Sequence, residues 1–224
     1  MEIGYSLVRQ RRKTLAVYVR ADGVEVRAPL SMPVGEIEAF LSQKRDWIER
    51  RLAEVAGQVE RRAAFEIGYG SWLIYRGQEC LVRGVAGRRA VFDGAFCLPV
   101  NLPTEGIKRA CVGLYRQLAR RDLADKVARY AAVMGVRPAG IKVNGAKTRW
   151  GSCSSKGNLN FSWRLMMAED GVINYVVVHE LAHLVHMDHS ARFWAVVAGI
   201  MPDYKARQKQ LKALQKQLAE QDWD

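Results

Sequence analysis

All four histidines of the chain lie within eleven residues, from His179 to His189. The run from His179 to His183 is an H-E-x-x-H motif in an apolar segment that is typical of a helix. Side chains four residues apart lie on one helix face, so both imidazoles can reach one Zn2+ ion at about 2.0–2.1 Å. Glu180 follows the first histidine, and its carboxylate can serve as general base for a water that the metal activates. The motif therefore predicts a zinc-dependent hydrolase.

A catalytic zinc ion needs a third protein ligand and keeps a fourth position open. His189 can supply the third nitrogen if the helix ends near residues 186–188 and the chain folds back. The resulting pattern, H-E-x-x-H-x-x-H-x-x-H, has the metzincin spacing, with His186 in place of the usual turn glycine. His186 lies about 10 Å beyond His179 on a straight helix, so it is the weaker candidate. We predict His179, His183 and His189 as metal ligands, and His186 as a turn residue in the left-handed conformation or a support for the ligands.

Two other interpretations of the histidine cluster do not involve catalysis. The motif could arise by chance on a buried helix, but burying an unpaired carboxylate costs free energy, and chance does not explain why every histidine lies there. A structural zinc site is closed by four protein ligands, whereas three histidines and an adjacent glutamate leave one position open. Manganese, cobalt or nickel could replace zinc, because their affinity trends overlap.

Hydrolysis of a carbonyl compound also needs a group that stabilises the oxyanion. Arg149, Tyr204 and His186 are the candidates by their positions in the sequence. The segment Arg149-Trp150 is also expected to form a strand that could pair with an extended peptide. Alternatively, Trp150 belongs to the core and Arg149 forms a structural salt bridge. We predict Arg149, Trp150 and Tyr204 as substrate-binding residues.

The hydrophobic pattern that surrounds these residues is that of an α+β protein. Residues 1–103 are predicted to form a β-rich subdomain with one helix, whose aromatic residues Phe40 and Trp47 pack in the core. Residues 104–224 are predicted to form a mostly helical subdomain with strands around a Gly/Ser-rich turn at residues 151–157. Helices are expected over residues 104–134, 170–186, 191–200 and 204–219.

The composition is that of a globular protein, with 49% hydrophobic and 26% charged residues in 224. No run approaches the roughly 18–20 apolar residues of a membrane span, and the amino-terminal segment does not resemble a signal peptide, so we expect a cytoplasmic protein. The four cysteines form no C-x-x-C pair and are expected to be free thiols. The net charge is +12, and residues 105–150 hold eleven Lys or Arg against three Asp or Glu. This basic segment could bind nucleotides or nucleic acid, or it could be a solvated helix face.

Three blocks of sequence together resemble the YgjP-like family of zinc metallopeptidases, which is related to the WLM and SprT-like minimal zincins. The blocks are K-T-R-W-G-S-C-S at 147–154, N-Y-V-V-V-H-E-L-A-H at 174–183, and His189-Ser190 with Phe193-Trp194 and Pro202-Asp203-Tyr204. The hairpin from Arg20 to Pro29 and the pair Trp47-Ile48 also resemble the family. The resemblance therefore covers most of the chain and is far more specific than H-E-x-x-H alone.

The resemblance implies a zincin-like C-terminal subdomain, in which a small mixed sheet that includes residues 147–161 lies beside the active-site helix. It implies His179, His183 and His189 as zinc ligands and Glu180 as the general base. It leaves the substrate open.

The function that we expect is hydrolysis of a peptide or protein substrate, with no membrane partner. One alternative is a metal-dependent nucleoside triphosphate pyrophosphohydrolase, which would receive phosphates on the basic segment 105–150. A second is a DNA-associated protease of the SprT-like kind, which would use the same charge. A third is a zinc-binding adaptor that hydrolyses nothing.

Overall fold

The computed structural model describes residues 3–223, which form ten strands, six α-helices and one short 3-10 helix. The chain folds into two compact units. One unit holds the residues up to 65 together with 219–222, and the other holds residues 66–218 with Trp223. The small sheets and the helices confirm the predicted α+β class, with a β-rich amino-terminal part and a helical carboxy-terminal part. Within the described residues, no helix combines the length and apolar character that crossing a bilayer requires.

The first unit contains a three-stranded sheet. In this sheet the third strand along the chain lies in the middle, parallel to the first strand and antiparallel to the second. A tight turn joins the second strand to the third, and there Gly23 has a positive φ of 127°. That conformation is open to glycine at little cost. The strands are β1 (Tyr5–Gln10), β2 (Ala16–Arg20) and β3 (Gly23–Pro29).

Two helices follow in the first unit, where the sequence predicted one. They are α1 (Val34–Gln43) and α2 (Arg45–Ala63), and the backbone leaves the helical conformation at Lys44. Apolar side chains from both helices reach the core of the unit. Trp47 does not, because 43% of its surface is exposed, so its predicted place in the core was wrong. The buried core residues are Val24, Val26, Ala28, Ile37, Leu41 and Ile48.

The second unit begins with a four-stranded sheet in the order β4-β5-β7-β6. A long helix, α3 (Thr104–Met134), follows with the predicted bounds and ends at Gly135, which adopts the left-handed conformation that favours glycine there. The sheet belongs to the same unit as α3, because the ring of Phe96 packs 4.9 Å from that of Tyr115. The units thus divide after Phe65, whereas the sequence pattern placed the boundary at residue 103. The strands are β4 (Trp72–Tyr75), β5 (Gln78–Val85), β6 (Val91–Phe92) and β7 (Phe96–Pro99).

The second unit also contains the small mixed sheet that the resemblance implied. Its strands β8 (Gly140–Asn144), β9 (Gly151–Cys153) and β10 (Asn158–Ser162) lie in the order β8-β10-β9. The central strand β10 is parallel to β8 and antiparallel to β9. One edge of the sheet is therefore β9, the strand that contacts the helix carrying the H-E-x-x-H motif.

Three helices complete the second unit after a 3-10 helix, Trp163–Met167. They are α4 (Asp170–Ala182), α5 (Ala191–Ile200) and α6 (Tyr204–Leu218). The last two match their predicted ranges closely. The α4 helix ends at Ala182, about one turn before the predicted end, and this early end starts the turn that leads to His189.

Candidate metal centre

The helix α4 holds the first part of the H-E-x-x-H motif rigidly, because most of its side chains are buried. His179 and Glu180 lie in its last turn. His183 follows the helix as its carboxy-terminal cap, but with φ −65° and ψ −19° it keeps a helical backbone. Its ring therefore stays on the same face as that of His179, as the four-residue spacing predicted.

A tight turn after α4 sends the chain back toward the helix. The amide of His186 donates to the carbonyl of Ala182 at 2.9 Å. Further along, the amide of Ser190 donates to Asp188 Oδ1 at 3.2 Å, and the Ser190 hydroxyl accepts from the amide of Phe193 at the start of α5. These bonds fix the two ends of the loop that carries His189.

The loop brings the ring of His189 onto those of the two helix histidines. His189 Nε2 lies 3.2 Å from His179 Nε2, and one ring nitrogen from each of His179, His183 and His189 lies within 4.8 Å of the others. Two nitrogens bound to a tetrahedral ion at about 2.0–2.1 Å are about 3.3 Å apart. The separation of the Nε2 atoms therefore fits a shared Zn2+ ion.

The protonation of these rings also suits a cation. Burial, together with the charges of His183 and His189, lowers the pKa of His179 to about 4. Burial likewise lowers the pKa of His183. Only a neutral imidazole has a free lone pair for a metal, so both rings are in the binding form near pH 7.

The predicted role of His186 is partly corrected. Its ring is not part of the histidine cluster, but its carbonyl lies 3.2 Å from His183 Nδ1. Such a contact on the second ring nitrogen orients an imidazole whose other nitrogen binds a metal. The prediction of a left-handed backbone at His186 was wrong, since among the described non-glycine residues only Arg76 and Asn101 have positive φ.

Glu180 is the most deeply buried polar residue of the site, with 4% of its surface exposed. Burial raises its pKa to about 8, and Oε2 has no hydrogen-bond partner among the described residues. Gly151, at the start of β9, lies directly against it: a Cβ built on Gly151 would lie 2.5 Å from Glu180 Oε1. The sequence analysis predicted no role for Gly151. Its place in the block at 147–154, one of those that resemble the family, was the one signal that could have drawn attention to it.

Aromatic rings of α5 surround the three imidazoles. The ring of Phe193 is fully buried and lies 5.0, 4.6 and 4.9 Å from those of His179, His183 and His189. Trp194 stacks on His189 at 5.8 Å. Both residues contribute to the family resemblance, but the sequence did not place them at the site.

Tyr204 is one ring removed from the histidines, because it stacks on Trp194 at 5.2 Å. Arg149 and Trp150 are not in a strand as predicted, since β9 begins at Gly151. Arg149 is exposed, and it makes no ion pair in the described part of the chain. Trp150 is half-buried, and its carbonyl accepts a hydrogen bond from the amide of Ser162. The substrate-binding roles of Arg149, Trp150 and Tyr204 stay predictions.

Comparisons with known proteins place the chain in a family. The family model described as YgjP-like, metallopeptidase domain, matches residues 13–214. None of the curated proteins matches the chain. Two crystal structures of metallopeptidase zymogens are similar to part of it. Abylysin of Pyrococcus abyssi is 21% identical over 41% of this chain and 92% of its own, with a TM-score of 0.38. Jannalysin of Methanocaldococcus jannaschii is 19% identical over 42% of this chain and 95% of its own, with a TM-score of 0.36.

Proposed function

The chain belongs to the YgjP-like metallopeptidase family, and from this premise we propose that it is a zinc-dependent peptidase with Glu180 as its general base. The observation that carries the proposal is the convergence of His179, His183 and His189 within 4.8 Å, beside a buried carboxylate. We propose Zn2+ rather than manganese, cobalt or nickel because three imidazole nitrogens with a fourth position left open form a ligand set that catalytic zinc takes.

Each residue of the site has a distinct task in this proposal. His179, His183 and His189 would hold a Zn2+ ion, which would lower the pKa of water toward about 7 and polarise the carbonyl that is attacked. Glu180 accepts the proton of the attacking water and returns it to the nitrogen that leaves. For this it must be ionised, and a cation held by the three histidines would lower its pKa from the raised value of the metal-free protein. Its burial excludes bulk water from the carboxylate, so the proton stays on the reaction path. We keep Arg149, Tyr204 and His186 as the candidates that stabilise the oxyanion.

The edge strand β9 supports a peptide as the substrate. It is the last strand in the order β8-β10-β9, and its first residue, Gly151, lies against Glu180. An extended peptide can add to a sheet edge through backbone hydrogen bonds. A peptide on β9 would pass beside the general base, and Arg149 and Trp150, which precede the strand, would contact its side chains.

The test compares the zinc-loaded protein with Glu180→Gln on a mixture of peptides and unfolded proteins. Glutamine has the same shape but accepts no proton, so the variant should retain zinc and fold and lose hydrolysis. Glu79→Gln, an exposed position in β5, is the matched control and should keep full activity. Equal rates for wild type and Glu180→Gln would reject Glu180 as the base.

One observation favours a polyanion as a second partner. Residues 106–121 contain five Lys or Arg and no Asp or Glu. Arg109, Arg116 and Arg120 are exposed and make no ion pair within the described residues.

Release of diphosphate from nucleoside triphosphates, lost in Glu180→Gln, would support the pyrophosphohydrolase alternative. Salt-sensitive DNA binding that is lost on charge reversal at Arg116, Arg120 and Arg121 would support the DNA-associated protease. A protein that binds metal but hydrolyses none of these substrates would support the remaining alternative, a zinc-binding adaptor.

We also retain the cytoplasm as the proposed compartment. All four cysteines are free thiols, three of them buried, and free thiols persist in reducing compartments. Localisation of a tagged full-length chain by cell fractionation tests this.

A further inference from the structure

A buried tyrosine lies behind the first histidine of the motif. Tyr175 precedes His179 by one turn of α4, so the two side chains share a helix face. Only 4% of Tyr175 is exposed, and its hydroxyl oxygen lies 3.5 Å from His179 Nδ1. This is the nitrogen that does not face His189, because Nε2 makes the 3.2 Å approach to that ring.

The Tyr175 hydroxyl has a second contact, with a residue of the carboxy-terminal helix. Gln208 on α6 donates an Nε2 hydrogen to it at 3.0 Å. A tyrosine hydroxyl has two lone pairs and one hydrogen, so it can accept from Gln208 and still accept the Nδ1 hydrogen of His179.

We infer that Tyr175 and Gln208 are positioning residues for His179: they hold hydrogen on Nδ1 and leave the Nε2 lone pair for the metal. The inference rests on the proposed function, since it assumes that His179 is a ligand. The Tyr175 hydroxyl would thus contact the second ring nitrogen of His179, as the His186 carbonyl contacts that of His183. Metal-binding histidines generally have such a partner on the second nitrogen, and its loss typically weakens metal affinity about 10–100-fold.

The experiment measures the Zn2+ dissociation constant by competition with a chromophoric chelator. Tyr175→Phe keeps the buried ring but removes the hydroxyl, and it should weaken zinc binding about 10–100-fold. Gln208→Ala should weaken it less, in the same direction. The double variant should bind zinc no more weakly than Tyr175→Phe, because Gln208 acts through the hydroxyl and effects within one network are not additive.

The matched control is Tyr115→Phe. Tyr115 is also buried and its hydroxyl donates to the carbonyl of Ile74 at 2.6 Å, away from the histidines. Its variant loses a buried hydrogen bond as Tyr175→Phe does, so its zinc affinity should stay at the wild-type value while its stability falls. A merely structural role for Tyr175 would make the two variants behave alike.

The outcomes separate this inference from the proposed function. Unchanged zinc affinity in folded Tyr175→Phe overturns the inference alone, and the peptidase proposal then still stands on Glu180→Gln. A wild-type protein that binds no zinc under any loading condition overturns both. If Tyr175→Phe does not fold, Gln208→Ala decides, because Gln208 is only half-buried, and wild-type affinity in that variant refutes the pair.

Discussion

The substitution Gly151→Ala should reduce hydrolysis without removing the metal site. A Cβ at position 151 would lie 2.5 Å from Oε1, 2.6 Å from Cγ and 2.7 Å from Cδ of Glu180. Carbon atoms in contact are ordinarily about 3.5–4.0 Å apart, so the carboxylate must move by about 1 Å. Because Glu180 is 4% exposed, its surroundings have to move with it.

The expected magnitude follows from that displacement. A shift of about 1 Å in a catalytic group costs about 10²-fold in rate. Forcing an extra methyl group into a packed site destabilises the fold by about 1–3 kcal/mol. The rings of the three histidines are not among the atoms nearest to the added carbon, so zinc affinity should change little.

The assay is kcat on a saturating peptide, with bound zinc and urea unfolding measured on the same samples. Gly113→Ala is the control, since it adds the same carbon to α3 with nothing within 4 Å. In a Glu180→Gln background, Gly151→Ala should cost no further activity, because the group it displaces no longer acts as base. A folded, zinc-loaded Gly151→Ala enzyme with the kcat of wild type would refute the positioning argument.

Two further predictions concern the same site. In metal-free protein, Glu180→Gln should increase the free energy of unfolding at alkaline pH. Burial raises the pKa of Glu180 in the folded state from 4.5 to about 8. The wild type therefore loses up to about 5 kcal/mol of stability as the pH rises from about 4.5 to about 8, and the glutamine variant does not. Thermal unfolding of chelator-treated samples at pH 5 and pH 9 checks this, and an equal effect of the substitution at both pH values would contradict it. His189→Ala should lower the zinc content of the purified protein, whereas His186→Ala, which keeps the backbone carbonyl that contacts His183, should not. The reverse order would mean that the third ligand is misassigned.

Local signals explain what the sequence predicted well. The bounds of α3 follow from Pro103, which precedes the helix, and from Gly135, which ends it in the left-handed conformation. The pairing of His179 with His183 needs only the helical repeat. The approach of His189 needs in addition a chain reversal, which the metzincin spacing indicated and the hydrogen bond from the His186 amide to Ala182 supplies.

The features that could not be predicted from the sequence depend on contacts between distant segments. Gly151 meets Glu180 across 29 positions of sequence, and Gln208 meets Tyr175 across 33. The hydrophobic pattern of one segment gives no information about which distant segment it will contact. The break between α1 and α2 was missed for a different reason: the apolar stripe continues across Lys44, so the pattern of one helix persists although the backbone departs from it.

The three imidazoles are unequally anchored, and this bears on how an ion would enter and leave. His179 lies in the last turn of α4 and His183 directly follows that turn, both half-buried, whereas His189 is exposed on a loop between helices. Dissociation should therefore begin at His189, since a loop opens more readily than a packed helix. The packing of Trp194 on the ring of His189 would then set how firmly the third ligand is held.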